Sequence, residues 1–183
     1  TVGNMSGTLG GSLEDVSDQD TEADLSCKVA LCQNFGPVLG DMNVGGIAGI
    51  VAVETDLDWR EDVDILGQQS YNFVSRMRAV ILSSSNNAPI TATKQNAGGV
   101  AGWVSMGLVK DCANSGAVNA EGAAYVGGIA GQSTGFLRGN SAKCILSGDM
   151  YVGGIAGSGT VVTDCRSMVQ LTASEQFGSL LGK

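Results

Sequence analysis

Histidine is absent from the 183 residues. That removes the commonest general base, the triads oriented around it and most transition-metal sites. Proline occurs only twice although glycine occurs 28 times, which excludes collagen and proline-rich linkers. Basic residues are scarce too: ten Lys and Arg stand against eighteen Asp and Glu, a net charge of -8, and the ten are scattered. A phosphate backbone would be repelled, so nucleic acid is not an expected partner. No segment reads as a signal peptide. The longest apolar run, Val44 to Val53, is about half of a membrane span, so no membrane insertion is expected in this segment. Five dispersed cysteines are too few for a disulfide scaffold, and their odd number leaves the redox compartment open.

What is present suits a folded chain. Hydrophobic residues make up 43% and charged residues 15%, too apolar for general disorder. The length fits one domain with a core of its own. The chain begins at Thr1 rather than methionine and stops at Lys183 directly after an apolar run, from which we expect a piece of something longer.

The glycines recur in blocks. VGGIAG stands at Val44, Val126 and Val152, AGGVAG at Ala97, and a decayed copy, FGSLLG, at Phe177. Between first glycines the steps are 53, 29, 26 and 25 residues. Three of them define one unit of about 26 residues. A second element precedes each block, in its fullest form Cys112-Ala113-Asn114-Ser115-Gly116-Ala117-Val118, with copies from Cys32, Ser84, Cys144 and Cys165. This alignment places an insertion at about 54–79. It puts Met150 in the place of Val118 and gives Cys32, Cys112, Cys144 and Cys165 one shared slot.

Short apolar segments bounded by Gly, Asn and Ser read as strands of a few residues. A unit this small cannot bury its apolar side alone, so copies must stack at strand spacing. The expected fold is all-β: a parallel β-solenoid, right-handed by the general rule for crossovers, of five to six coils of about 26 residues with an inserted lobe. Residues 1–30 form an acidic cap or extension and 31–183 the repeats. Successive coils share one continuous hydrophobic interior. One interior row holds Ile47, Val100, Ile129, Ile155 and Leu180; another holds Val38, Ile90, Val118, Met150 and Leu171. The pairs Gly45-Gly46, Gly98-Gly99, Gly127-Gly128 and Gly153-Gly154 mark corners, where either positive φ or close backbone approach demands glycine. Asn34, Asn86 and Asn114 suit an amide ladder at a second corner.

The alternation of VGGIAG with CANSGAV resembles the GLUG motif of bacterial surface proteins, including the non-catalytic repeat region of immunoglobulin A peptidases. The likeness covers about 31–53 and 80–182. It implies an extracellular, cell-surface or secreted bacterial protein in which the repeats serve as stalk, spacer or adhesive module. Its partners would be a host or cell-surface protein or glycan. The acidic first segment and the insertion depart from the pattern.

Candidate sites are few. Core packing is the expected role of the shared cysteine slot, since Ser84 replaces it in one copy and zinc would need paired ligands at short spacing. Cys27 and Cys32 are the only local pair. The recurring glycine blocks lack the order and the Lys-Ser/Thr of a phosphate loop. Asp18, Asp20, Glu22 and Asp24 alternate like the first ligands of a calcium loop, but Ala23 stands where the glycine belongs and Val29 where the last glutamate belongs. A solvated polar loop is the expectation, with no metal and no cofactor. The insertion carries Trp59, Tyr71, Phe73, Arg76 and Arg78 and is the expected place for recognition. Asp111, Asp164, Lys110 and Lys143 flank the cysteine slot and are the repeat's only catalytic candidates, for a carbohydrate-active β-helix enzyme. The expected function is a non-enzymatic surface module; the alternatives are that enzyme or a non-catalytic segment of a secreted peptidase. The open strand edges of the last coil suit self-association end to end, or a further chain.

Overall fold

The computed structural model describes residues 12–19, 25, 28–52 and 74–183. These form a parallel β-solenoid with three faces, and every strand pair is parallel. The first face is made of two-residue strands: Gln33–Asn34, Ser85–Asn86, Ala113–Asn114, Ser141–Ala142 and Arg166–Ser167. Long strands make the second: Val38–Gly45, Ile90–Gly98, Val118–Gly127 and Ile145–Gly153, continued by Gln170–Thr172 and Glu175–Gly178. The third holds Lys28–Ala30, Ala48–Val51, Val80–Leu82, Ala101–Val104, Leu108–Lys110, Ala130–Arg138 and Ala156–Thr163.

The row Asn34, Asn86, Asn114, Ala142 and Ser167 marks five levels, hence about four turns, and two of its steps are 28 residues long. This corrects the expected five to six coils of about 26. A level can shorten without leaving the stack because the long strands bulge. Ala120 pairs with Gly148 and Ala124 with Met150, so the lower strand holds two residues more between those points.

That bulge also moves two assignments. Val118 lies beside Leu146, not Met150, so the second interior row is Val38, Ile90, Val118, Leu146 and Leu171. Leu146 is fully buried, whereas Met150 pairs with Ala124 and Glu175. The cysteine slot runs Cys32, Ser84, Cys112, Asn140, Cys165, and Asn140 rather than Cys144 holds its fourth place. Asn140 fits because the slot's amide bonds continue through it: Oδ1 accepts from the Cys112 amide at 2.9 Å and Nδ2 donates to the Val109 carbonyl at 2.8 Å. Cys144 instead precedes the Ile145–Gly153 strand and receives Asn114 Nδ2 at 3.4 Å.

The first interior row is as expected, with amide to carbonyl bonds of 2.9 Å from Ile47 to Val100, Val100 to Ile129, Ile129 to Ile155 and Ile155 to Leu180. The interior is not one cavity, however. One buried cluster gathers Val100, Ile129, Ile155, Ile81, Val109 and Leu137. A second gathers Ile90, Val118, Leu146, Val126 and Val152, and they meet through Cys144 and Val169, which pack against both. Glycine draws the boundary. A Cβ on Gly98 would lie 2.8 Å from Ala130 Cα and against the carbonyl of Ala101 in its own turn, and one on Gly131 would lie 2.6 Å from Ala97 N. The two legs of each coil therefore pass backbone against backbone, with no room for side chains between them. Close approach, not positive φ, is what the corner glycines provide.

Left-handed backbone falls on two other rows. One is Leu31, Ser83, Asp111, Gly139 and Asp164 (φ 47 to 68°); the other is Asn43, Asn96, Tyr125, Tyr151 and Gln176 (φ 48 to 62°). Non-glycine residues tolerate this region at a cost, offset here by stacking on like neighbours.

The acidic first segment and the insertion meet. Ser12–Asp15 pairs in parallel with Val74–Met77, so the two excursions share one small sheet. Asp15 Oδ2 accepts the Gly107 amide at 2.7 Å, Ser17 Oγ accepts the Ala79 amide at 3.0 Å, and the Asp18 carbonyl accepts Arg138 Nη1 at 3.4 Å. These bonds hold 12–19 along the third face. Leu108 and Val80, which belong to neither core cluster, are nevertheless buried, as is Val16 of the segment.

Candidate interaction surface

Of the residues expected to carry recognition, Trp59, Tyr71 and Phe73 lie outside the described residues. Arg76 lies on the Val74–Met77 strand and Arg78, just after it, is exposed. Of the calcium candidates only Asp18 is described, half-buried in the single 3-10 turn Ser17–Gln19; Asp20, Glu22 and Asp24 lie outside. Among the described residues no three acidic, cysteine or histidine side chains converge as a metal site.

The four catalytic candidates are not brought together. Asp111 and Asp164 occupy the same left-handed row with Gly139 between them, two levels apart, which is roughly 10 Å at strand spacing. Lys110 Nζ stands 4.0 Å from Asp111 Oδ2. Lys143 does not flank the cysteine slot at all: it follows Ala142 on the first face, in the row of Phe35, Asn87, Ser115 and Met168.

The thiols are held neutral. Burial pushes Cys112 and Cys144 up to about 11 and raises Cys165 as well. A thiol that keeps its proton is a poor nucleophile and a poor metal ligand. Cys32, at the first level, is exposed, and the four described cysteines are all free.

Side chains of the repeat are instead spent on the neighbouring level. Asn34 Nδ2 donates to Asn86 Oδ1 at 2.7 Å, and Asn86 Nδ2 to Asn114 Oδ1 at 2.8 Å, giving the expected amide ladder. Unforeseen is the ladder on the second left-handed row. There Asn96 Nδ2 donates to Asn43 Oδ1 at 2.7 Å, the Tyr125 and Tyr151 rings stack at 4.9 Å between centroids, and Lys183 Nζ lies 5.0 Å over Tyr151. Thr93 and Lys94 reach down to Asp41, at 2.7 and 2.6 Å, and hold its carboxyl below the ordinary carboxylate range.

The sequence reading also missed a collar. Around the first level, Leu31, Phe35, Leu39 and Ile50 are exposed, in rows whose higher members are mostly polar: Ser83 and Asp111, Asn87 and Ser115, Thr91 and Asn119, Gln132 and Ser158. Comparing row members across levels reveals it, once the rows are known. Met168 and Phe177 are exposed at the last level.

The fold and these surfaces define a repeat protein of the parallel β-solenoid class. No family model, no curated protein and no solved structure matches the chain.

Proposed function

We propose that this chain is a non-enzymatic repeat module of a bacterial cell-surface or secreted protein, of the GLUG-motif kind, acting as a spacer that presents an interaction surface. The observation that supports it is the apolar collar of the first level: Leu31, Phe35, Leu39 and Ile50 expose apolar side chains where the levels above carry mostly polar ones. Scattered apolar residues on a surface need no explanation, but a girdle confined to one level marks contact with something else. The VGGIAG blocks supply the likeness to surface repeats.

Two measurements test this. Antibody raised against the chain should label intact cells that make the native gene product and should not need permeabilisation. Labelling only after lysis overturns the extracellular reading. Incubation with a panel of acidic and neutral polysaccharides should give no new reducing ends or unsaturated products. Turnover that disappears in Asp111→Asn or Asp164→Asn would replace the spacer with an enzyme.

A further inference from the structure

We propose that copies of this chain stack head to tail, the first level of one continuing the last level of the next, in a register that sets Cys165 beside Cys32 of the following copy. The partner is a second copy, because the interface needed is the one the protein already makes three or more times within itself. Each level offers the next the same three faces, the same turn and the same row order. At both ends the strand edges are those of a solenoid with no level beyond, and such edges pair readily.

The rows are compatible across the junction. Phe35 (71% exposed) and Met168 (70%) are the first and last members of one row, so stacking sets ring against thioether. Phe177 (62%) and Leu180 (43%), whose rows are otherwise interior, would be covered by Val44 and Ile47 of the next copy. Ser167 Oγ is buried without a hydrogen-bond partner, and it ends the row that begins with Asn34. No like charges face each other in these rows: Asp164 would meet Leu31, Arg166 would meet Gln33, and Glu175 would meet Met42.

The cysteine slot makes the register measurable. Within one chain Ser84 separates Cys32 from Cys112, and Asn140 separates Cys112 from Cys165, so slot cysteines are never on adjacent levels. Across the junction Cys165 and Cys32 are one level apart, about 4.8 Å, inside the Cα range a disulfide accepts. The slot's bonding also continues. The Cys32 amide donates to Ser84 Oγ, that of Ser84 to Cys112 Sγ and that of Cys112 to Asn140 Oδ1, so the Cys165 amide would meet Cys32 Sγ. A heterologous contact of this kind does not close on itself and gives an open series. This stands whether or not the collar binds another protein.

The test uses the full chain carrying Cys27→Ser, in which Cys165 and Cys32 are the least buried slot thiols. Sedimentation from micromolar to millimolar protein should show an open, concentration-dependent series. Phe177→Lys, at an exposed site, should weaken association by about tenfold or more with unchanged circular dichroism. With diamide, two thiols give up two protons and two electrons to the diazene and a ladder of disulfide-linked dimers, trimers and longer species should form. Cys32→Ser or Cys165→Ser should each abolish it, while a mixture of the two variants should give dimer and nothing longer. A strict monomer at every concentration overturns the proposal. So does a cross-linked dimer that survives Cys165→Ser, since Cys32 would then be meeting itself.

Discussion

Replacing Asn114 with alanine tests the idea that this column is held by side chains bonding from level to level. Asn114 is buried, and its amide makes four bonds: Oδ1 accepts from Asn86 Nδ2 at 2.8 Å and from the Gly116 amide at 3.0 Å, while Nδ2 donates to the Gly116 carbonyl at 2.9 Å and Cys144 Sγ at 3.4 Å. Alanine removes all four and strands the buried amide and carbonyl of Gly116. At about 1 kcal/mol for each neutral bond, and more where a buried group is orphaned, the loss is about 3–4 kcal/mol. In a chain of this size that lowers the melting temperature by about 6–14 °C. Asn34 is the control, because it makes the same Asx turn to Gly36 where both are more exposed and water can replace the bonds. Asn34→Ala should cost less than about 1 kcal/mol. Guanidinium unfolding followed by circular dichroism gives both numbers. Equal effects at the two positions would refute the ladder as a source of stability and leave it a by-product of the repeat.

Other consequences follow from the register and the waist. Leu146→Ala should destabilise by about 2–5 kcal/mol and Met150→Ala by less than about 1, and the reverse order in a denaturant melt would restore the rejected alignment. Gly127→Ala should prevent stable folding, since its Cβ would collide with the Ala130 carbonyl and lie 2.7 Å from Ala156 Cα, whereas Gly36→Ala, whose Cβ meets nothing nearer than 3.9 Å, should be close to neutral by thermal melting. Cys112 ionises near 11 in the fold against 9.0 for the free thiol, so its contribution to stability is present below about pH 9 and is lost as pH rises toward 11. Cys112→Ala should flatten that part of the stability profile, and an unchanged slope would show that other groups set it. Thiol labelling at pH 8 should reach Cys32 at once and Cys112 only on unfolding, which mass spectrometry of the labelled peptides reads directly.

Local constraints are what the sequence by itself determined. Each first glycine faces a carbonyl three residues further along its own turn, as Gly45 faces Ala48 and Gly127 faces Ala130, so the VGGIAG blocks had to appear wherever the chain doubles back. The row of Ile47, Val100, Ile129, Ile155 and Leu180 follows at a fixed distance and was placed correctly for that reason, as was the amide ladder from Asn34 to Asn114. Registers beyond a bulge were decided only in three dimensions. Ala120 to Ala124 spans what Gly148 to Met150 spans, and once two residues are lost a matching cysteine is no longer a guide, so Cys144 left the slot and Asn140 entered it. An interior slot asks for volume and a suitable hydrogen bond, and Cys, Ser and Asn all supply them. The pairing of Ser12–Asp15 with Val74–Met77, across 62 residues, leaves no periodic trace in the chain, because a parallel pair between two unique segments is specified only by the column that brings their ends together.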